Sequence, residues 1–351
     1  MIRPLPSSVA GRCLSFACLF LLGCAGGGVP LDEVTAAPLA LVYWDEVAAR
    51  ERAEAMDNLR DGKRGSVRRG VASVESVAEY INPSERMRRG QKIKDLPGRI
   101  ALLNARTLEL SPFPFAPANS RPLAWSRNHR KLLFSSGHLD RGRTQLFEYD
   151  LDSDQVSKLT RGPRYHFEGD YATDGRIVAS WLDVTRAQRK TGMDILSATG
   201  SLDAEFVTSD NPMSPKWLRE QDRIIYVRAN RGGRAAPDSF GIMVRDAVPA
   251  AQTRPLSRGR EPVLTPDGEW IVYTRLTQEG WRLQRMRADG SARSSLGDGS
   301  LDARWPAVSP DGRHVAYISN EDGIDRLYLR RMDGSGDRIL LPTGGAAFPV
   351  W

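Results

Sequence analysis

RWPAVSPDGRHVAYISNEDGIDRLYLRRMDGSGDRILL, residues 304–341, holds four short apolar, β-rich runs separated by tight turns. Ala307–Ser309 is the first run, and Pro310-Asp311-Gly312 turns it back, with proline pre-setting φ and glycine free to take φ > 0. His314–Ser319 is the second run and Asn320–Gly323 the second turn. Arg326–Arg330 follows as the third strand, Asp333-Gly334 as the third turn, and Arg338–Leu341 as the fourth strand. Four strands joined this tightly form an up-and-down antiparallel unit. Runs that are apolar on both faces of a sheet need a neighbour on each side, and the blades of a β-propeller supply that arrangement.

The unit repeats. Pro122, Pro215, Pro262, Pro306 and Pro349 mark the innermost strand at intervals of 93, 47, 44 and 43 residues, the first interval being two periods. A strand-only repeat of this period is a propeller signature. Blades are predicted over Arg121–Gly162, Pro163–Asp210, Asn211–Gly259 and Arg260–Ser300, before the blade quoted above. The terminal AAFPVW repeats only a first strand and leaves two sheet edges open. The missing strands are expected from the N-terminal side: Gly98–Ala105 as the third strand, Leu108–Phe113 as the fourth and Val77–Asn82 as the second, which makes six blades. An alternative has residues 71–81 helical and the last blade three-stranded.

The SPDG turn, the VAYIS strand, the NEDG turn and LYLRRMDGSG resemble the propeller repeats of TolB, a periplasmic cell-envelope protein family. The resemblance implies the fold and suggests a link to an envelope-spanning assembly. It says little about chemistry, because such repeats also occur in sugar lyases and peptidase propellers. TolB is soluble and carries a sizeable α/β domain before its propeller. This chain has only about seventy residues there and an acylation signal in place of that domain.

That signal lies at the N-terminus. Arg3 and Arg12 precede Cys13–Gly23, an apolar run of 11 residues, too short for a finished membrane span and suited to a signal-peptide core. Leu21-Leu22-Gly23-Cys24 then resembles a bacterial lipobox, which makes residues 1–23 a lipoprotein signal peptide and Cys24 the site of lipid attachment, carrying palmitate-type chains. Cys13 and Cys18 would leave with the signal, so no thiol remains to pair and the core alone must hold the fold. One acyl chain anchors marginally, whereas two or three on one residue anchor durably. By the same resemblance, Ala25 in place of Asp favours the outer membrane, with the protein facing the periplasm.

Residues 24–70 read as a lipid-anchored tether and helix, and residues 71–351 as the propeller. Ala25–Pro38 is the flexible tether, and Leu39–Arg60 is the one convincing helix, with Arg50–Glu54 as an i,i+4 pair. Between Arg50 and Arg106 there are 14 Lys and Arg against 8 Asp and Glu, most of the chain's formal net charge of +7. Two readings stand for that basic stretch: a solvated surface, or contact with anionic headgroups, peptidoglycan or another envelope polyanion. A chain exported this way is not expected to meet nucleic acid.

Nothing in the sequence assembles a catalytic centre. There is no Gly-x-Ser-x-Gly elbow, and no Cys is left as a nucleophile. His129, His138, His166 and His314 lack metal-ligand spacing, and Asp267 and Asp311 sit in turns where side-chain to backbone bonding explains them. No cofactor, metal or catalytic residue is expected. Trp125, Trp217 and Trp351 occupy equivalent inner-strand positions and read as core, whereas Trp281 is the candidate exposed interface aromatic. The expected function is a non-catalytic envelope lipoprotein that binds a protein partner. The alternative is an enzyme or binding protein for an oligosaccharide or peptide in the central funnel. Three or more polar groups converging in that funnel favour the alternative, and a plain funnel with an apolar face favours the scaffold.

Overall fold

The structure is a computed structural model that describes residues 28–54 and 98–351, except for 116, 118–119, 141, 185–189, 219–221, 230–239, 279 and 298–301. Six four-stranded antiparallel sheets form a closed ring of blades. The first blade comprises Arg121–Trp125, Lys131–Ser136, Gln145–Asp150 and Gln155–Lys158, from the axis outward. The fifth, quoted above, comprises Arg304–Val308, His314–Ser319, Arg326–Arg331 and Arg338–Ile339. Every residue of His314–Ser319 is buried, so this strand is covered on both faces. Six apolar clusters lie at the six junctions between neighbouring blades. The core is therefore itself a ring.

The turns between first and second strands and between third and fourth strands gather at one end of the barrel, here the turn face. The remaining connections form the loop face. Asp311 fulfils the turn role: its Oδ1 accepts from Ser309 Oγ at 2.6 Å and from the Arg313 N–H at 3.0 Å. Asp267 accepts from the Glu269 N–H at 2.9 Å in the equivalent turn.

The sixth blade is closed by one C-terminal and three N-terminal strands, in the order Gly345–Val350, Pro38–Trp44, Arg99–Asn104, Glu109–Pro112. The third and fourth strands fall where the sequence puts them. The second does not, because Pro38–Trp44 takes the place expected for Val77–Asn82, which lies outside the described residues. Leu39–Trp44 is thus a strand, and the helix occupies residues 46–54 of the described chain. The physical reason is long-range. Leu41 pairs with Ala101 on one side, and Val42 and Tyr43 pair with Ala347 and Ala346 on the other. Asp45 divides strand from helix, its carboxylate accepting from the Ala48 N–H at 2.9 Å as an N-cap. Arg50 pairs back to Glu46 at 2.6 Å. The helix is fixed to the loop face by Glu46, which binds Arg326 at 3.2 Å and the Gly344 N–H at 2.7 Å. Those two donors lower the Glu46 pKa to about 2, the Arg326 hydrogen bond contributing most.

The segment expected to be a loose tether is docked from Gly28 onward. Val29 and Val34 are fully buried in the junction between the fifth and sixth blades, each burial contributing about 1.5–3 kcal/mol. Arg338 donates to the Val29 carbonyl at 3.0 Å and Arg106 to the Val34 carbonyl at 2.7 Å. Glu33, in a 3-10 turn over Leu31–Glu33, pairs with Arg331 at 3.0 Å. Trp351 donates to the Ala37 carbonyl at 3.0 Å, tying the first strand of the sixth blade to the segment that leads into its second at the turn face.

Candidate functional site: the axial channel

Down the axis runs an open cavity of about 410 Å³. All five repeat prolines line it: Pro122, Pro215, Pro262, Pro306 and Pro349. A β-bulge interrupts each innermost strand beside this position, the register shifting between Met213 and Lys216, Arg260 and Val263, and Arg304 and Ala307. Ser214, Glu261, Trp305 and Phe348, each just before its proline, have φ of 47°, 56°, 49° and 53°. Bulges re-aim side chains, and left-handed non-glycine residues cluster at functional sites.

The residues at this repeat position form a ring at the loop-face end of the channel, one per blade: Arg121, Glu168, Ser214, Glu261, Trp305 and Phe348. They are linked around the axis. Arg121 bonds Glu168 at 3.2 Å and lies 4.1 Å from the Phe348 ring centroid. Glu168 accepts from the Ser214 N–H, reaching the next blade. Glu261 accepts from the Trp305 N–H at 2.8 Å and from Thr274 at 3.0 Å, and pairs with Arg260 at 3.0 Å. Trp305 and Phe348 lie 4.4 Å apart, centroid to centroid. One step deeper, Asp170 bonds Lys216 at 3.2 Å and the Trp217 N–H at 3.0 Å. Burial pushes the Arg121 pKa down to about 10, against the opposing pull of Glu168, so it stays cationic at neutral pH. At the turn-face end Trp125, His129, Pro266 and Pro310 frame the other mouth.

The funnel is therefore polar. Three carboxylates, Glu168, Asp170 and Glu261, and three cations, Arg121, Arg127 and Lys216, line it, so neither sign predominates. Every one of those carboxylates is engaged by a cation and by a backbone N–H of the next blade, which makes them inter-blade staples as well as channel lining. These pairs range from buried (Glu168) to half-buried (Asp170, Lys216), and ion pairs withdrawn from solvent are weak evidence of added stability.

The histidines do not come together. His129 lies at the turn-face mouth, His138 in the loop after the second strand of the first blade, and His166 is buried against Asp194 at 3.0 Å. His314 is buried in the fifth blade, its pKa lowered mainly by that burial. Among the described residues no group of three or more His, Cys, Asp or Glu is placed to hold a metal ion. Trp281 is only 7 % exposed, with Arg260 4.9 Å above its ring, so it is core rather than an exposed anchor. It lies at the start of the third strand of its blade, where Arg260 of the same sheet covers its ring and its backbone N–H donates to Asp302 at 2.5 Å. Trp125 and Trp217 are buried as expected, and Trp351 is half-buried. Cys24 lies outside the described residues. The ring residues are absent from the sequence-based candidates, although the signal was there: each directly precedes a repeat proline or its equivalent.

Comparison with solved structures gives the same architecture. TolB from Acinetobacter baumannii superposes with a TM-score of 0.60 at 15% identity, over 90% of this chain and 66% of that one. A TolB candidate from Agrobacterium tumefaciens matches with a TM-score of 0.55 at 21% identity, over 71% of this chain and 90% of its own. Hydrazine synthase from Kuenenia stuttgartiensis matches with a TM-score of 0.58 at 15% identity, over 90% of this chain and 46% of that chain. At these identities the likeness establishes the fold: a six-bladed β-propeller of the kind found in TolB. An uncharacterized protein of Agrobacterium fabrum is 27% identical over 116 residues, 31% of this chain and 40% of that protein. The chain thus matches less than two thirds of the length of that relative and of the Acinetobacter TolB. No protein-family model matches the chain. Among the described residues no helix is long and apolar enough to cross a membrane.

Proposed function

We propose that this chain is a non-catalytic lipoprotein of the bacterial envelope, anchored through Cys24 in the outer membrane and facing the periplasm, that binds a protein partner. The axial channel is where a peptide segment of that partner is held. The observation that carries this reading is the loop-face ring. Arg121, Glu168 and Glu261 supply both signs of charge beside the aromatic rings of Trp305 and Phe348. That mixture suits an extended polypeptide with polar and apolar side chains better than a uniformly charged polymer. The TolB-like fold supports a protein-binding role in an envelope assembly by analogy.

The polar funnel is the outcome expected to favour the alternative, an enzyme or a binding protein for an oligosaccharide or peptide, and the enzyme form of it draws on the convergence of three carboxylates in an open cavity. A general base needs an oxygen within reach of a substrate proton. Here Glu168 and Asp170 each spend both oxygens on framework donors, and Glu261 is held by Arg260, Thr274 and the Trp305 N–H. That favours a binding channel over a catalytic one.

Crosslinked capture from membranes tests the proposal. An envelope protein recovered with the wild-type chain and lost with Lys216→Met or Phe348→Ala supports it. Recovery of no envelope protein, together with tight binding of a glycan, overturns it. The anchor is tested separately, since Cys24→Ser is expected to move the protein out of the membrane fraction, and retention there refutes lipidation.

A further inference from the structure

The docked N-terminal segment fixes where a lipid on Cys24 must sit relative to the propeller. Four residue steps separate Cys24 from Gly28, and a chain of that length spans at most about 14 Å. From Gly28 onward the chain is held. An ideal Cβ on Gly28 would lie 3.2 Å from the Asp337 carbonyl oxygen, and Val29 and Val34 are fully buried. Arg338, Arg331 and Arg106 each bond this segment, at 3.0, 3.0 and 2.7 Å.

All three arginines and Asp337 stand at turn-face ends of strands or in turn-face connections: Arg331, Asp337 and Arg338 in the fifth blade, Arg106 in the sixth. The two faces are separated by the first three strands of each blade, which run five to eight residues, about 20 Å for six residues, before the loops are added. A leash of about 14 Å that leaves from the turn face is shorter than the propeller is thick, so it cannot bring the loop face to the bilayer.

We propose that the turn face, at the junction of the fifth and sixth blades, rests against the headgroups of the membrane that carries the Cys24 lipid. The loop face is turned away from it. This rests on the lipoprotein reading above and adds an orientation to it. The ring of Arg121, Glu168, Ser214, Glu261, Trp305 and Phe348, and the helix over residues 46–54, then open toward the aqueous side. A partner reaches the channel from there, while the mouth framed by Trp125 and His129 faces the bilayer.

The test uses the full-length lipidated protein in vesicles of phosphatidylethanolamine and phosphatidylglycerol containing a headgroup-nitroxide lipid. A fluorophore is placed on Ser335→Cys, exposed on the turn face of the fifth blade, or on Leu139→Cys, 62% exposed on the loop face of the first. Vesicle flotation first establishes that the protein is membrane-bound, and failure to float refutes the lipoprotein reading, not the geometry alone. In floated protein, quenching at position 335 is expected to exceed that at position 139 several-fold. Inserting twenty Gly and Ser residues between Gly27 and Gly28 is expected to erase the difference. Equal quenching at the two positions, stronger quenching at 139, no quenching at either, or a difference that survives the insertion each overturns the proposed orientation.

Discussion

Leu41→Ala tests the feature on which ring closure depends. Leu41 is fully buried in the second strand of the sixth blade, among Leu39, Leu103, Ala307, Ile318 and Leu329. Truncating a leucine in such a site removes its transfer free energy and leaves a cavity, at a cost of about 2–5 kcal/mol. For a domain of this size each kcal/mol lowers Tm by about 2 °C, so the mid-range cost of about 3 kcal/mol lowers Tm by about 6 °C. Val47→Ala, six residues on and 68% exposed in the helix, is the control, with an expected change within about 0.5 kcal/mol. The assay is urea unfolding followed by tryptophan fluorescence, backed by calorimetry. The sixth blade joins the first and last strands of the propeller, so the whole transition is expected to shift, not an early fraction of it. If Leu41→Ala unfolds at the midpoint of Val47→Ala, residues 38–44 do not form a central strand and the account of closure is wrong.

Other expectations follow from the same contacts. The Glu46 pKa is lowered to about 2 by Arg326 and the Gly344 N–H, so its contribution to helix docking is complete above about pH 4.5 and is lost as pH falls toward 2. Fluorescence of Trp44, which has Arg52 4.7 Å above its ring, should report that acid transition, and Glu46→Gln should abolish it. Glu168→Gln leaves the Arg121 guanidinium in the channel wall without its carboxylate and is expected to cost about 3 kcal/mol in urea unfolding. A loss below 1 kcal/mol would mean that the ring is solvated, not stapled. Gly192→Ala would place a Cβ 2.2 Å from the Phe206 carbonyl oxygen and 2.5 Å from the Trp181 ring, with an expected destabilisation of about 1–3 kcal/mol. Unchanged stability there would show that the second blade relaxes more readily than its packing implies.

How much was legible beforehand varies with the range of the interaction. The turn in the fifth blade is written locally, in a proline, an aspartate and a glycine with φ of 70° at Gly312. Its repetition made the blade count readable, and the third and fourth strands of the sixth blade fell in place. The second strand was missed because PLALVYW is followed directly by an alanine-rich helical segment, and nothing short-range marks the break except Asp45. The proline period identified the strands around the axis but not the residues that matter most in the channel. Glu168 and Glu261 look like ordinary strand acids until the bulges bring them against the next blade. Trp281 shows the converse, since an aromatic among arginines looked exposed and is packed beneath one of them.

The sequence by itself determined the repeat and the propeller, because turns and strand periodicity are read within a few residues. Only the tertiary structure decided which segment closes the ring, that six residues spaced 43 to 47 apart meet around one axis, and that the chain from Gly28 onward is docked at the turn face. Those are consequences of pairing and burial between residues up to about three hundred positions apart, such as Arg338 and Val29, and no local pattern encodes them.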